Sequence, residues 1–339
     1  MTKPPRLDEF QRIARFFAPL AGPGALGLKD DVALIDGPAG MQYVLKTDAI
    51  VEGIHFFPTD PPRQVAQKLL RVNLSDLAAK GAEPVGYLLT TALTEAQDEA
   101  WLAEFAAGLA EDQKNFGLTL LGGDSVRTDG ALTLSATAIG RVAAGQALLR
   151  GGARPGNAIF VSGTLGDASL GLKILQHKFV APAKAGAQGK RTSPILGPRL
   201  RGDDENYLIQ RYRLPQPRLE LGRKLVGLAT AAMDISDGLV ADLGHLCDAS
   251  GIAAIVETAH LPMSDAARVL VANDPSLFML ALTGGDDYEI LFTAPREVAP
   301  KLAGWDVTEI GRIEAGQGVT VLDGEGKPMR LELAGYTHF

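Results

Sequence analysis

Strand-length apolar runs alternate with helix-length amphipathic segments through both halves of this chain, and that alternation confines it to the α/β class. In the first half, Val32 to Ile35 and Tyr43 to Lys46 read as strands, the second ending at the polar pair Thr47-Asp48. A helix is expected before them, over Leu7 to Leu20, with Phe10, Ile13, Ala14 and Phe17 on one face. Pro61-Pro62 opens a helix that runs to about Lys80 and is closed by Gly81. Val85 to Leu93 is strand. Glu95 to Phe116 is a long amphipathic helix around Trp101, Leu102, Phe105 and Leu109. Leu118 to Leu121 and Leu132 to Ile139 are strands. Glycine, arginine and proline then cluster between Gly145 and Gly156, and the idiom repeats. Ala158 to Val161 is strand, followed by the turn Ser162-Gly163-Thr164 and a helix. Another helix follows Pro217. Met233 to Gly238 is a polar turn, Gly238 to Ala249 a helix, and Ile252 to Val256 and Tyr288 to Phe292 are strands, with short strands toward the end.

A chain of 339 residues exceeds one ordinary core. Two mixed α/β domains are therefore expected, at 1–145 and 146–339, each with its own core. The stretch Lys178–Glu205 departs from the pattern. It is rich in proline, glycine and basic residues and has no periodicity, so it reads as a flexible insertion in the second domain or, alternatively, as a local anion contact.

Composition removes several function classes. A net charge of −7 argues against a broad nucleic-acid or anionic-membrane surface. No run of about eighteen apolar residues occurs, so no spanning segment is expected. The N-terminal residues carry no apolar signal core. The single cysteine, Cys247, builds neither an intramolecular disulfide nor a thiolate zinc site, which fits a reducing cytoplasm. Gly22-Pro-Gly-Ala-Leu-Gly27 has the spacing of a dinucleotide fingerprint, but a helix precedes it and a strand follows, the reverse of what that fingerprint needs. There is no P-loop, no protein-kinase motif set, no nucleophile elbow and no metal-ligand spacing among the histidines.

The informative feature is where the aspartates fall. Asp30 and Asp31 precede a strand, Asp48 ends one, and Asp76 lies in the helical segment NLSDLAAKG. Asp124 closes LLGGDS, Asp234 and Asp237 sit in MDISDGL, and Asp286 and Asp287 follow the glycines of TGGDDYE. Strand ends are where α/β proteins place ligand groups. Taken singly, each aspartate is accounted for by turn or capping chemistry. Taken together, with few basic residues nearby in sequence, they must repel, stay solvated or bind cations if they converge. Hard oxygen ligands of this kind suit Mg²⁺ completed by water and phosphate oxygens. Gly122-Gly123 and Gly284-Gly285 read either as tight turns or as places where backbone approaches a ligand.

The set KDDVAL, KTDAIVEGIHF, NLSDLAAKGAEP, LLGGDS, ALLRGGARPG, MDISDGL and GGDDYEILF resembles the thiamine-monophosphate kinase family over nearly the whole chain outside the insertion. That family belongs to a superfamily shared with aminoimidazole-ribonucleotide synthetase. The resemblance implies a two-domain synthetase-like fold, a homodimer joined through the N-terminal sheets, ATP as co-substrate with several Mg²⁺ ions, and thiamine monophosphate as acceptor. It implies Asp31, Thr47, Asp48, Asp76, Asp124, Asp234 and Asp237 as metal ligands, with Asp48, Asp124 and Asp237 central to catalysis. Gly123, Asp124, Arg150 and Ser236 match nucleotide-contact positions. His55, Asp286 and Tyr336 match substrate positions. Two positions depart from the family pattern: Lys46 stands where serine or threonine is common, and Asp286 where glutamate is usual. Alternatives are another ATP-dependent enzyme of the superfamily and a non-catalytic regulator that binds ATP and Mg²⁺.

Overall fold

The computed structural model describes residue 11 and residues 13–180 and 202–331. Its first sheet comprises β1 (Ala33–Asp36), β2 (Met41–Val51), β3 (Glu83–Leu93), β4 (Thr119–Arg127) and β5 (Thr133–Ala143), in the order β1-β2-β5-β3-β4. Helices α1 (Pro62–Ala79) and α2 (Glu99–Phe116) belong with it. All pairs are antiparallel except β3–β4, which are parallel and joined through α2, as parallel neighbours require a crossover. On β5 the buried residues are Leu134, Ala136, Ala138, Gly140 and Val142, and half-buried Thr133, Ser135, Thr137 and Ile139 alternate with them. The small Ala136 and Ala138 leave room for α1, which packs on β2 and β5.

Helix α1 is buried on every side from Val65 to Ala79. One flank meets α2 and the first sheet; the other meets elements of the second sheet. The sequence placed the start of α2 at Glu95, but it begins at Glu99. The Asp98 carboxylate accepts the Trp101 N–H at 2.8 Å and caps the helix, while the Gln97 side-chain oxygen Oε1 accepts the Thr94 N–H and folds the preceding residues into a turn.

The second sheet comprises β6 (Ala158–Ser162), β7 (Ala231–Asp234), β8 (Ala253–Glu257), β9 (Ile290–Ala294), β10 (Val307–Glu314) and β11 (Gly318–Leu322), in the order β11-β8-β10-β6-β9-β7. Helices α3 (Asp167–Val180), α4 (Gly202–Arg213), α5 (Leu219–Leu225), α6 (Leu239–Ser250) and α7 (Asp265–Asn273) surround it. Strands β6 and β9 are buried along their whole length. Alternate residues of β6 serve opposite cores: Ala158 and Phe160 join the apolar cluster around α1, while Ile159 and Val161 join one with α6. Phe160 stacks on Phe292 of β9 with centroids 5.1 Å apart.

The cluster around α1 runs without a break from the first sheet into the second, where separate cores were expected. α1 is the shared element, since α5, β7 and β9 pack on the flank away from the first sheet.

Three expectations need correction. Over the described part of Leu7–Leu20, Gln11 is helical and is followed by a π-helical turn, Ile13–Phe17, and a 3-10 turn, Ala18–Leu20, with no buried residue. Pro19 interrupts regular α-helical hydrogen bonding there; residues 7–10 and 12 lie outside the described residues. The segment Lys178–Glu205 is helical at both ends. Lys178 to Val180 finish α3, and Gly202 to Glu205 open α4, where Asp203, Asp204 and Glu205 suit a helix N-terminus. Residues 181–201 lie outside the described residues. Finally, Met233 and Asp234, read as part of a polar turn, end strand β7.

Candidate active site

A cleft of about 580 Å³ opens between the two sheets. Its acidic wall is assembled from five places in the chain. The loop before β1 brings Asp30 and Asp31, and β2 brings Lys46 and Asp48. Asp76 comes from α1 and Asp234 from the end of β7, while Ser236 and Asp237 come from the loop after it. Alternation along β2 puts Lys46 and Asp48 on one face and Thr47 on the other, where its hydroxyl donates to the Ala136 carbonyl at 3.2 Å. The Asp48 N–H donates to the Asn73 side-chain carbonyl of α1 at 2.9 Å, which ties the strand end to the helix carrying Asp76.

Carboxylate oxygens of Asp31, Asp76 and Asp234 lie within 4.8 Å of one another. Burial pushes the Asp234 carboxyl up to about 6, with Asp31 adding to the effect. Burial also raises Asp76, and the neighbouring Asp234 reinforces it. Crowded buried carboxylates of this kind are relieved by a cation. Two buried polar atoms of the cleft have no hydrogen-bond partner among the described residues: Asp234 Oδ2, an acceptor, and Arg150 Nε, a donor. A hard divalent cation fits the first and an anionic oxygen the second.

The chain supplies part of the neutralising charge itself, which sequence proximity did not reveal. Lys46 Nζ lies 3.2 Å from Asp48 Oδ1 and 3.1 Å from Asp76 Oδ2. Burial works against its charge, but Asp76 and Asp48 outweigh it and hold the ammonium well above the usual lysine range. Fully buried Lys80 meets Asp30 at 2.9 Å and Asp31 at 2.6 Å and donates to the Ala232 carbonyl at 3.1 Å. Arg150 pairs with Asp31, and its N–H donates to Asp30 at 2.8 Å. Burial alone would raise Asp31; Lys80 and Arg150 overcome it and hold the carboxyl well below the usual carboxylate range. Lys80 was detectable in principle, because it lies four residues after Asp76 and shares a helix face with it.

The opposite wall holds the residues matched to substrate. The Asp286 carboxylate pairs with Lys68 Nζ of α1 at 2.9 Å. The same ammonium donates to the His55 carbonyl at 2.9 Å and stands 3.7 Å over the Tyr212 ring. His55, Tyr212 and Tyr288 line the cleft beside Asp286. Asp286 and Tyr288 adopt left-handed backbone, φ 70° and 51°, and are held there by N–H bonds of 2.8 Å to the Ser236 and Ile235 carbonyls. The Asp242 carboxylate of α6 collects the N–H groups of Ser236, Asp237 and Gly238, fixing the loop that presents Asp237.

The cleft thus gathers Asp31, Asp48, Asp76, Asp234, Asp237, Ser236, Arg150, His55 and Asp286. It does not gather Gly123 and Asp124, which sit on the exposed edge strand β4, or the Thr47 side chain. Tyr336 lies outside the described residues. Gly123 has a structural reason of its own: at φ 155° a Cβ would meet the Leu89 carbonyl of β3 at 1.8 Å, so the glycine admits the neighbouring strand.

Residues 29–142 match the family model described as AIR synthase related protein, N-terminal domain, and residues 154–324 match the one for its C-terminal domain. The two models together span most of the chain and place it among the AIR synthase related proteins. It is 39% identical over 341 residues to the thiamine-monophosphate kinase of Caulobacter vibrioides, covering 97% of this chain and 90% of that protein. A solved structure described as AaThiL complexed with AMPPCP and TMP superposes with a TM-score of 0.84 at 31% identity, covering 100% of both chains. That of thiamine-monophosphate kinase from Stenotrophomonas maltophilia gives 0.74 at 38% identity, covering 92% of this chain and 94% of that one. This chain belongs to the thiamine-monophosphate kinase family.

Proposed function

We propose that the acidic cleft is where this kinase transfers the γ-phosphoryl group of ATP to thiamine monophosphate, forming thiamine diphosphate and ADP, in the cytoplasm. The observation that carries the reading is the meeting of an unpartnered buried carboxylate oxygen, on Asp234, with an unpartnered guanidinium N–H, on Arg150, in one cleft. A metal–phosphate complex is the chemistry that satisfies both.

Asp31, Asp76 and Asp234 would hold Mg²⁺, with Asp48 and Asp237 beside them. When bound, Mg²⁺ neutralises phosphate charge. The attacking oxygen belongs to a phosphate that is already ionised, so the chain need supply no general base. Its task is to let two anions approach. At about 4 Å two unit charges repel by roughly 4 kcal/mol at an effective dielectric near 20, and phosphates carry more than one charge. Arg150 and Ser236 stand where nucleotide phosphates enter the acidic wall. His55 and Asp286 face the acceptor, and the Lys68 bond to Asp286 sets the direction of that carboxylate.

Asp124 takes part in this reading only through a homodimer. Across the first sheet, Ala49 stands opposite Ser135, Ser135 opposite Thr90, and Thr90 opposite Asp124. Asp124 is therefore three strands from the Asp48 end of β2, roughly 14 Å at ordinary strand spacing. Among the described residues β4 is an unpaired edge with Leu120, Leu121 and Val126 exposed, and Leu88 of β3 is exposed beside them. A second copy that covers this edge brings its own Asp124 toward the cleft. On this reading residues 1–145 form the ATP- and Mg²⁺-binding domain that dimerises, and residues 146–339 form the second α/β domain.

The test is a thiamine diphosphate production assay. ADP release must depend on thiamine monophosphate, and Asp48→Asn must lower turnover by roughly 10²–10³-fold, the size of losing one electrostatic group that acts in the transition state. ADP release that ignores thiamine monophosphate ends the assignment.

A further inference from the structure

We propose that the Lys46 ammonium is a tethered cation that occupies the place of one divalent ion between Asp48 and Asp76, so that this chain takes one ion fewer than it would with an uncharged residue there. The inference rests on the reading of the cleft as a divalent-cation site.

The geometry distinguishes Lys46 from the other buried cations. Lys80 is sealed from the cleft and saturated by Asp30, Asp31 and a backbone carbonyl, as a structural clamp would be. Lys68 serves the opposite wall, with Asp286 and the His55 carbonyl. Among the described residues, Lys46 is the one lysine that lines the cleft. It bridges carboxylates from two separate elements, β2 and α1, at 3.2 and 3.1 Å. One of them, Asp76, also belongs to the trio whose oxygens converge within 4.8 Å. A charge midway between carboxylates of different elements does the work of a bridging metal ion: it holds the elements together and cancels their repulsion. Mg²⁺ entering between Asp48 and Asp76 would meet the ammonium at contact distance, so the two cations exclude each other. The remaining place, toward Asp31 and the unpartnered Asp234 Oδ2, stays open to metal.

The consequence is a site partly assembled before any metal arrives. Without Lys46 the acidic wall must be neutralised by an added ion. Serine at position 46 would offer a hard oxygen and no charge.

The experiment titrates the full-length chain with Mn²⁺, without nucleotide, and counts bound ions by electron paramagnetic resonance. Lys46→Ser is expected to hold one more Mn²⁺ per chain than the wild type, or to bind its tightest Mn²⁺ at least tenfold more tightly. Lys46→Arg, which keeps the charge, is expected to match the wild type. In EDTA, Lys46→Ser should melt several degrees below the wild type, and Mn²⁺ should restore it by more than it shifts the wild type. Lys46→Met keeps the apolar stem without the charge and must show the same divergence from Lys46→Arg if the serine variant fails to fold. Equal ion counts and affinities in the wild type and the uncharged variants would overturn the proposal while leaving the metal site intact. If no variant binds Mn²⁺, the divalent-cation reading falls and takes this proposal with it.

Discussion

At the scale of single residues, Tyr87 shows what burial costs without a partner. It is fully buried on β3, its hydroxyl has no hydrogen-bond partner among the described residues, and burial pushes the phenol up to about 12. An unsatisfied buried hydroxyl costs roughly 1–3 kcal/mol. Tyr87→Phe is therefore expected to raise the melting temperature at neutral pH. The pH dependence has a definite sign. The unfolded phenol ionises near its ordinary value of 10.0, and the folded one near 12. Between those values the unfolded chain holds fewer protons than the folded one, so stability falls as pH rises. The contribution is complete below pH 10 and lost on the way to 12, a loss the phenylalanine variant lacks. Melting curves of both proteins at pH 8 and pH 11 check this, and the gap between them must widen at the higher pH.

At the scale of elements, α1 joins the site to the core. Its apolar residues serve both sheets, while Lys68, Asn73, Asp76 and Lys80 reach the cleft or its supports. A helix buried on all sides must satisfy each polar group internally. The largest such debt is Arg71, whose Nε and Nη2 bond the Asp112 carboxylate of α2 at 2.7 and 2.9 Å. Asp112 is fully buried and also accepts from Gln67. Asp112→Ala would strand the guanidinium and is expected to lower stability by about 3–5 kcal/mol, read from urea unfolding. Arg71→Met in the same chain should recover part of that loss. The bounds of α1 were legible in the sequence because Pro62 and Gly81 are local signals. Strand β4 was legible only at its start: the sequence ends the strand at Leu121 and leaves Gly122-Gly123 as either a tight turn or a close approach to a ligand, whereas the backbone continues to Arg127 by pairing with β3. Main-chain pairing is set by the neighbouring strand, which local sequence does not reveal. Helix α4 was hidden similarly. Its anchors are tertiary, Arg211 to buried Glu289 at 2.8 Å and the Tyr212 hydroxyl to the His55 carbonyl at 2.9 Å.

At the scale of the whole molecule, the aspartates were legible as a set and their neutralisation was not. Asp31, Asp48, Asp76, Asp234 and Asp237 do share one cleft, but Lys46 and Arg150 share it with them, and buried Lys80 supports Asp30 and Asp31 from behind, all drawn from separate elements. Asp124 is the remaining acidic position, and one chain cannot carry it across three strands to the others. That separation makes the assembly testable through activity. In a homodimer whose cleft takes Asp124 from the second copy, a chain carrying Asp48→Asn and a chain carrying Asp124→Asn damage the same cleft when they pair. One cleft of the mixed dimer collects both substitutions and the other collects neither. Each variant alone is expected to be nearly inactive. Mixing them under conditions that exchange subunits should restore about a quarter of wild-type thiamine diphosphate formation, since about half the dimers are mixed and each holds one intact cleft. A mixture no more active than its separate components would place Asp124 outside the partner's cleft. A mixture that still failed after sedimentation had shown exchanged dimers would confine Asp124 to its own chain.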